Sequence, residues 1–243
     1  MVDLYICPDV HARTFYKPLL DIKDTHIVFL GDYVDPYPQE AIFKEEAIPC
    51  LEEIIEFKKK NPEYVHLLLG NHDCGYIWGD VCSSRRDYMH YNDIAAMFKE
   101  NLNLFDLAFE WEDDKKYLLT HAGVHKMWFK FVHDIVSNNS EISYNNIAEY
   151  LNNVLHSNHE NLSEFLGIYS YYRGWGGAPF GSCVWADVHE WFDNNKKDDE
   201  GFPYYQIFGH TQLEKDPIIS DTFACIDCRK YFTLKEIQDY GKD

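Results

Sequence analysis

The stretch Ile27-Val28-Phe29-Leu30-Gly31-Asp32-Tyr33-Val34-Asp35 decides how this chain is read. Four consecutive apolar residues, β-branched and aromatic among them, predict a short buried strand, and Gly31 ends it. Two carboxylates therefore emerge where a strand gives way to its loop, the place where α/β proteins put chemistry. Asp32 is positioned to hold a metal ion, and Asp35, three residues on, to orient a neighbouring base.

Working outward, Leu4-Tyr5-Ile6-Cys7 is a second apolar run that stops at Pro8 and delivers Asp9 and His11, which share one face if the chain stays extended. Residues 41–60 carry apolar side chains at helical spacing, with Pro49 as a candidate kink. Residues 64–69 predict another buried strand, ending in the loop Gly70-Asn71-His72-Asp73. Strand, loop, helix, strand and loop in succession favour an α/β architecture. Residues 87–103 read as a helix, and 107–111 and 116–119 as strands joined by Glu112-Asp113-Asp114, the second ending at Thr120-His121-Ala122-Gly123. From 124 to 168 the pattern is helical and polar, with breaks near Asn138 and Asn158, and reads as a helical insertion at about 125–170. Residues 193–200 read as a solvated loop, 204–208 as a strand ending at Gly209-His210-Thr211, and 222–226 and 231–234 as closing strands.

Composition narrows the function. A chain of 243 residues with 46% hydrophobic and 16% aromatic residues has ample material for a core, and we expect one domain over 1–243. The formal charge of −19 opposes nucleic-acid backbones and anionic membrane surfaces, so neither is an expected partner. An anionic substrate then needs local positive charge, which bound metal ions supply. The start of the chain lacks a signal-peptide pattern, no apolar run approaches the roughly 20 residues that span a membrane, and a cytoplasmic location is expected. Seven cysteines at scattered spacings do not form a disulfide framework. Cys225-Ile226-Asp227-Cys228 has the spacing of a zinc or redox pair, but a single pair lacks the second that a four-ligand site needs.

Asp9, His11, Asp32, Asn71, His121 and His210 together offer carboxylate, imidazole and amide ligands from strand ends and turns. This mixture suits two ions of Mn, Fe or Zn better than Ca or a Cys-rich zinc site. Two ions about 3.5–4 Å apart clamp a phosphoryl group and activate a water, so the matching reaction is phosphoester hydrolysis.

The motifs Asp-x-His, Gly-Asp-x-Val-Asp, Gly-Asn-His-Asp, His-x-Gly and Gly-His-Thr, in this order, resemble those of the calcineurin-like metallophosphoesterases from about residue 4 to about 234. The Val34-Asp35 ending looks most like the serine/threonine phosphatase and diadenosine tetraphosphatase branch. The resemblance implies a two-sheet β-sandwich flanked by helices, with the metals in loops along one edge. It implies that Asp9 and His11 hold the first ion, that Asp32 bridges, and that Asn71, His121 and His210 complete the second. It also implies that His72 is the catalytic acid, oriented by Asp35, and that a metal-bound hydroxide attacks phosphorus directly.

Two departures affect the phosphate grip. The branch commonly has an arginine where this chain has Pro36, and another several residues after Gly-Asn-His, where this chain has 74–79. The five arginines are Arg13, Arg85, Arg86, Arg173 and Arg229, and Arg173 is the preferred substrate-binding residue because it precedes a glycine-rich loop and Val184-Trp185-Ala186-Asp187. The expected substrate is a phosphorylated protein or small molecule. One rival is a nucleotide polyphosphate hydrolase, with Trp78, Trp175 and Tyr76 as stacking surfaces for a base. The other is a metal-bound binding module without turnover, against which the pair His72 and Asp35 argues.

Overall fold

The computed structural model describes residues 3–79, 81, 84–138, 141–174, 176–192 and 202–241. Trp175, Asn139, Ser140 and the expected loop 193–200 lie outside them. The strand quoted above forms as β2 (His26–Phe29), in parallel register with β1 (Leu4–Cys7) on one side and β3 (Val65–Leu68) on the other. The short β4 (Phe105–Asp106) continues the sheet beyond β3, and β10 (Phe232–Thr233) closes it antiparallel to β1. A second sheet runs β5 (Ala108–Glu112), β6 (Lys116–Thr120), β7 (Tyr205–Phe208), β9 (Phe223–Cys225) and β8 (Ile218–Ile219).

The period of two along each strand explains why these segments are apolar but for His26 and His66, which stack on one another. Leu4, Ile6, Val28, Leu30 and Leu68 face the second sheet and pack against Leu119, Ile207 and Ala224. The alternating Cys7, Ile27, Phe29, Val65 and Leu67 face outward and are covered by helices, notably by Leu51, Ile54 and Ile55 of α1 (Ala47–Lys60). Strands buried on both faces have no polar side to show in the sequence.

Several boundaries differ from expectation. The helix predicted from residue 41 begins at Ala47, after single 3-10 turns at Pro38–Glu40 and Lys44–Glu46. Pro49 thus falls in the first helical turn, where its missing N–H is not needed, and no kink has to be invoked. The loop expected after β3 is instead a helix, α2 (Asn71–Ile77). The next helix, α3, is shorter than predicted (Tyr91–Glu100). The two-residue strands β4 and β8 are too short to leave a periodic signal. The terminal helix α7 (Leu234–Asp239), read as the end of a strand, is set by a capping box between Thr233 and Glu236.

The helical insertion forms as α4 (Lys126–Val136), α5 (Ile147–His156) and α6 (Leu162–Leu166). Asn138 and Asn158, the expected breaks, both have positive φ, which asparagine tolerates better than most residues. Asn152 of α5 accepts from the N–H groups of Leu107 and Ala108 and donates to the Ala108 carbonyl, tying the insertion to the edge strand β5. Among the described residues, no helix is long and apolar enough to cross a membrane.

Candidate metal centre

The parallel strands β1, β2 and β3 end on the same edge, and β6 and β7 bring the second sheet to that edge. Backbone hydrogen bonds lock the strand ends together: His11 N–H to the Asp32 carbonyl at 2.7 Å, and Gly209 N–H to the His121 carbonyl at 2.8 Å. Sharp exits follow. His11, Asp32, Asp35 and His210 all carry positive φ, an unfavourable backbone for residues with a Cβ that persists where the surroundings enforce it and that clusters at functional sites.

Asp9, His11, Asp32, Asn71, His72, His121 and His210 are all buried and converge. The imidazole orientations are fixed from behind. The Val34 carbonyl lies 2.7 Å from His11 Nδ1, and the Leu30 carbonyl 2.9 Å from His121 Nδ1. A carbonyl only accepts, so both Nδ1 atoms carry the proton and both Nε2 atoms present lone pairs. Those lone pairs face further acceptors: His11 Nε2 lies 3.5 Å from Asp32 Oδ2 and 3.9 Å from Asp9 Oδ2. His121 Nε2 lies 3.5 Å from Asp32 Oδ2 and 3.1 Å from both Asn71 Oδ1 and His210 Nδ1. The opposite nitrogen of His210 is buried without a hydrogen-bond partner among the described residues. Carboxylate, amide and imidazole ligand atoms gathered around common points are what cations require, so the residues present fit metal ions. Among the described residues, ligand atoms of His11, Asp32 and His72 lie within 4.8 Å of one another, as do those of Asp32, His121 and His210, and Asp32 belongs to both groups.

The charges agree. Burial raises the Asp32 carboxyl, but the imidazoles of His121, His72 and His11 outweigh it and hold the pKa at about 2. Burial pushes His11 well below the usual imidazole range, and burial together with Arg173 does the same to His210, keeping both in the neutral form that binds metal. Asp9 is raised by burial, with Asp32 adding to the shift.

Asp9 and His11 do not share a face through extended chain: β1 ends at Cys7, and a left-handed turn at His11 brings them together. Asn71 and His72 are both helical, and they diverge because successive helical residues point about 100° apart. Asn71 faces His121, whereas His72 Nδ1 donates to Asp35 Oδ2 at 2.6 Å.

Some contributions were not foreseen from the sequence. Tyr76 donates from its hydroxyl to the other Asp35 oxygen at 2.6 Å and accepts from the Asp87 N–H at 2.7 Å. It is buried and stacked on Tyr91, and so is not a surface for a nucleobase. Asp73 accepts from the N–H groups of Asp32, Tyr33 and Gly70, clamping the Asp32 loop to the start of α2. Its helical i, i+3 relation to Gly70 was the available signal, hidden because the segment read as loop. Gly70 and Gly209 allow the carboxylates to seat: a Cβ on either would stand 2.2 Å from an oxygen of Asp32 or Asp9. Arg173 lies on the His210 side, its Nε 2.8 Å from Asp187 Oδ2 and its Nη2 donating to Thr211 Oγ1 at 2.8 Å. Cys225 and Cys228 are buried free thiols.

Comparison with known proteins places the site in context. The chain is 32% identical over 117 residues to a "Serine/threonine-protein phosphatase PP1-delta" of Caenorhabditis elegans, a match that spans 44% of this chain and 33% of that relative. The chain thus spans only about a third of the curated relative's length. Its fold is similar to that of a cold-active protein-tyrosine phosphatase of a psychrophile, Shewanella sp., with TM-score 0.62, 15% identity, and coverage of 98% of this chain and 76% of that one. A protein serine/threonine phosphatase from Saccharomyces cerevisiae, described as similar to human phosphatase PP5, matches with TM-score 0.55 and 15% identity over 93% of this chain and 66% of its own. The family model for calcineurin-like phosphoesterases matches residues 4–234, which include every residue of the cluster. The chain belongs to the calcineurin-like phosphoesterase family.

Proposed function

We propose that the chain is a metal-dependent phosphatase that hydrolyses phosphomonoesters at a dinuclear site. The observation that carries this reading is Asp32: one buried carboxylate belongs to two ligand groups, with the Asp35–His72 pair beside them. Asp9 and His11 would hold one ion, Asp32 would bridge, and Asn71, His121 and His210 would hold the other. When bound, ions of Mn, Fe or Zn would neutralise phosphoryl charge and activate a water as nucleophile.

The protein's own groups divide the remaining work. With its Nδ1 proton donated to Asp35, His72 presents Nε2 outward, the atom from which a proton would pass to the departing ester oxygen. Asp35 fixes the ring, and Tyr76 fixes Asp35. Arg173, beside Thr211 and His210, would bind the phosphoryl oxygens on the opposite side. This acid machinery supports an enzyme over a binding module, which has no use for it. The phosphorylated substrate is read as a protein or small phosphomonoester, with a nucleotide polyphosphate as the alternative; of the candidate stacking residues, Tyr76 is sealed inside and offers no face. Buried free cysteines support a reducing, cytoplasmic setting.

The test is hydrolysis of p-nitrophenyl phosphate with added Mn, followed by a phosphopeptide and diadenosine tetraphosphate in parallel. Turnover that depends on metal and favours the phosphopeptide supports the reading. Absence of metal-dependent turnover on any phosphoester would return the chain to the binding-module reading.

A further inference from the structure

We propose that Arg85 grips the substrate's phosphoryl group on the His72 side of the site, opposite Arg173. The inference rests on the phosphatase reading above and names a second anion-binding residue for it.

Four observations carry it. Arg85 Nη2 lies 3.3 Å from His72 Nε2, so its guanidinium stands at the Nε2 face of the proposed acid, which accepts from it here. Its plane is supported from below by Tyr37, whose ring centroid is 3.7 Å from the guanidinium carbon and which packs edge-on against His11 at 5.0 Å. The Arg85 backbone has φ of +60°, a conformation that arginine avoids and that marks enforced placement. Finally, among the described residues its charge is not paired with a carboxylate. Arg13 and Arg229 pair with Glu40, and Arg173 with Asp187, whereas Arg85 donates only to the Asp35 carbonyl, Ser84 Oγ and His72 among the described residues.

Among the described residues the Arg85 guanidinium makes no ion pair with a carboxylate, in a chain of net charge −19. The anion it fits is the one the site is built to receive. A phosphoryl oxygen entering between Arg85 and the metal ligands takes the Nη donors by a charge-assisted contact and releases His72 Nε2 from Arg85. The geometry also accounts for Pro36. An arginine side chain is missing from the residue after Asp35, and the guanidinium reaches the same catalytic pair from the far side of Tyr37, its Nε bonded to the carbonyl of Asp35 itself.

The experiment titrates inorganic phosphate calorimetrically into Mn-loaded wild type, Arg85→Ala, Arg85→Gln and Arg85→Lys, alongside steady-state kinetics on p-nitrophenyl phosphate. Loss of one charge-assisted contact should weaken phosphate binding and raise KM by about ten- to a hundredfold in the Ala and Gln variants. Lysine should restore part of the affinity because it keeps the charge and loses the fork. Metal content and melting temperature should stay at wild-type values in at least the Gln and Lys proteins, which carry the test if Ala misfolds. Wild-type phosphate affinity in Arg85→Gln, or a wild type that binds no phosphate, overturns the proposal. A wild type that binds phosphate through Arg85 but hydrolyses no phosphoester would uphold this inference and sink the phosphatase reading instead.

Discussion

His72 stands where two roles compete, and replacing it separates them. Its ring is within ligand distance of His11 and Asp32, yet its Nδ1 is committed to Asp35 at 2.6 Å and its Nε2 faces Arg85 at 3.3 Å. If it is the general acid, His72→Asn should keep both metal equivalents and lose the roughly 10²–10⁴ that proton donation contributes, about 3–5 kcal/mol of transition-state stabilisation. The loss should appear with alkyl phosphates, whose leaving oxygen needs the proton. It should be small with p-nitrophenyl phosphate, whose leaving group is stable as an anion. Asp35→Asn should follow the same pattern more weakly, because the ring loses its orienting carboxylate. Tyr76→Phe should be weaker again: it removes one of the two contacts that hold Asp35 and leaves the Asp87 N–H unpaired. The assay is kcat/KM across a series of leaving groups in metal-loaded protein, with elemental analysis of each variant. Equal losses on both substrate types, or one metal missing from His72→Asn, would refute the acid and make His72 a ligand.

Asp32→Asn should weaken both metals and Asp9→Asn mainly one, and inductively coupled plasma analysis that finds two tightly held equivalents in Asp32→Asn would remove Asp32 as the bridge. Arg173→Ala should raise KM and slow turnover with metals retained; kinetics equal to wild type would exclude it from the phosphate grip. Gly70→Ala should cost about 1–3 kcal/mol in denaturant unfolding, because the added methyl would stand 2.2 Å from Asp32 Oδ1 and 2.5 Å from its backbone nitrogen. It should also lower metal stoichiometry, and a stable, fully loaded protein would contradict the close approach. His66 supplies a pH test: burial, then Lys58 and His26, lower its pKa from 6.5 to about 3. Its neutral form is what the fold favours, so this stability is present above the unfolded value and is lost as pH falls from about 6.5 toward 3, by up to about 1.4 kcal/mol per pH unit. Urea midpoints should show a shallower acid slope in His66→Gln, and an unchanged slope would mean that His66 protonates freely in the folded state.

The sequence by itself determined what lies on the site's edge. Apolar runs of three or four residues stop at Pro8, Gly31 and Gly70, so the chain must present Asp9, Asp32 and Asn71 where strands end, and short-range physics is enough to say so. The metal-ligand chemistry was legible for the same reason, since carboxylate, imidazole and amide side chains recur at those ends. What the sequence could not determine was direction. Whether Asn71 and His72 diverge depended on α2 being a helix, a segment of seven residues that includes a glycine and whose propensity is weak until packing and the Asp73 cap select it. Which nitrogen of His11 or His121 carries a proton depended on the carbonyls of Val34 and Leu30, the latter 91 residues from its imidazole. The contacts of Arg85 and Tyr76 with Asp35 became visible only in the fold. Contacts of that range leave no periodicity in the chain, because they are set by where the strand ends and helices come to rest and not by neighbours in sequence.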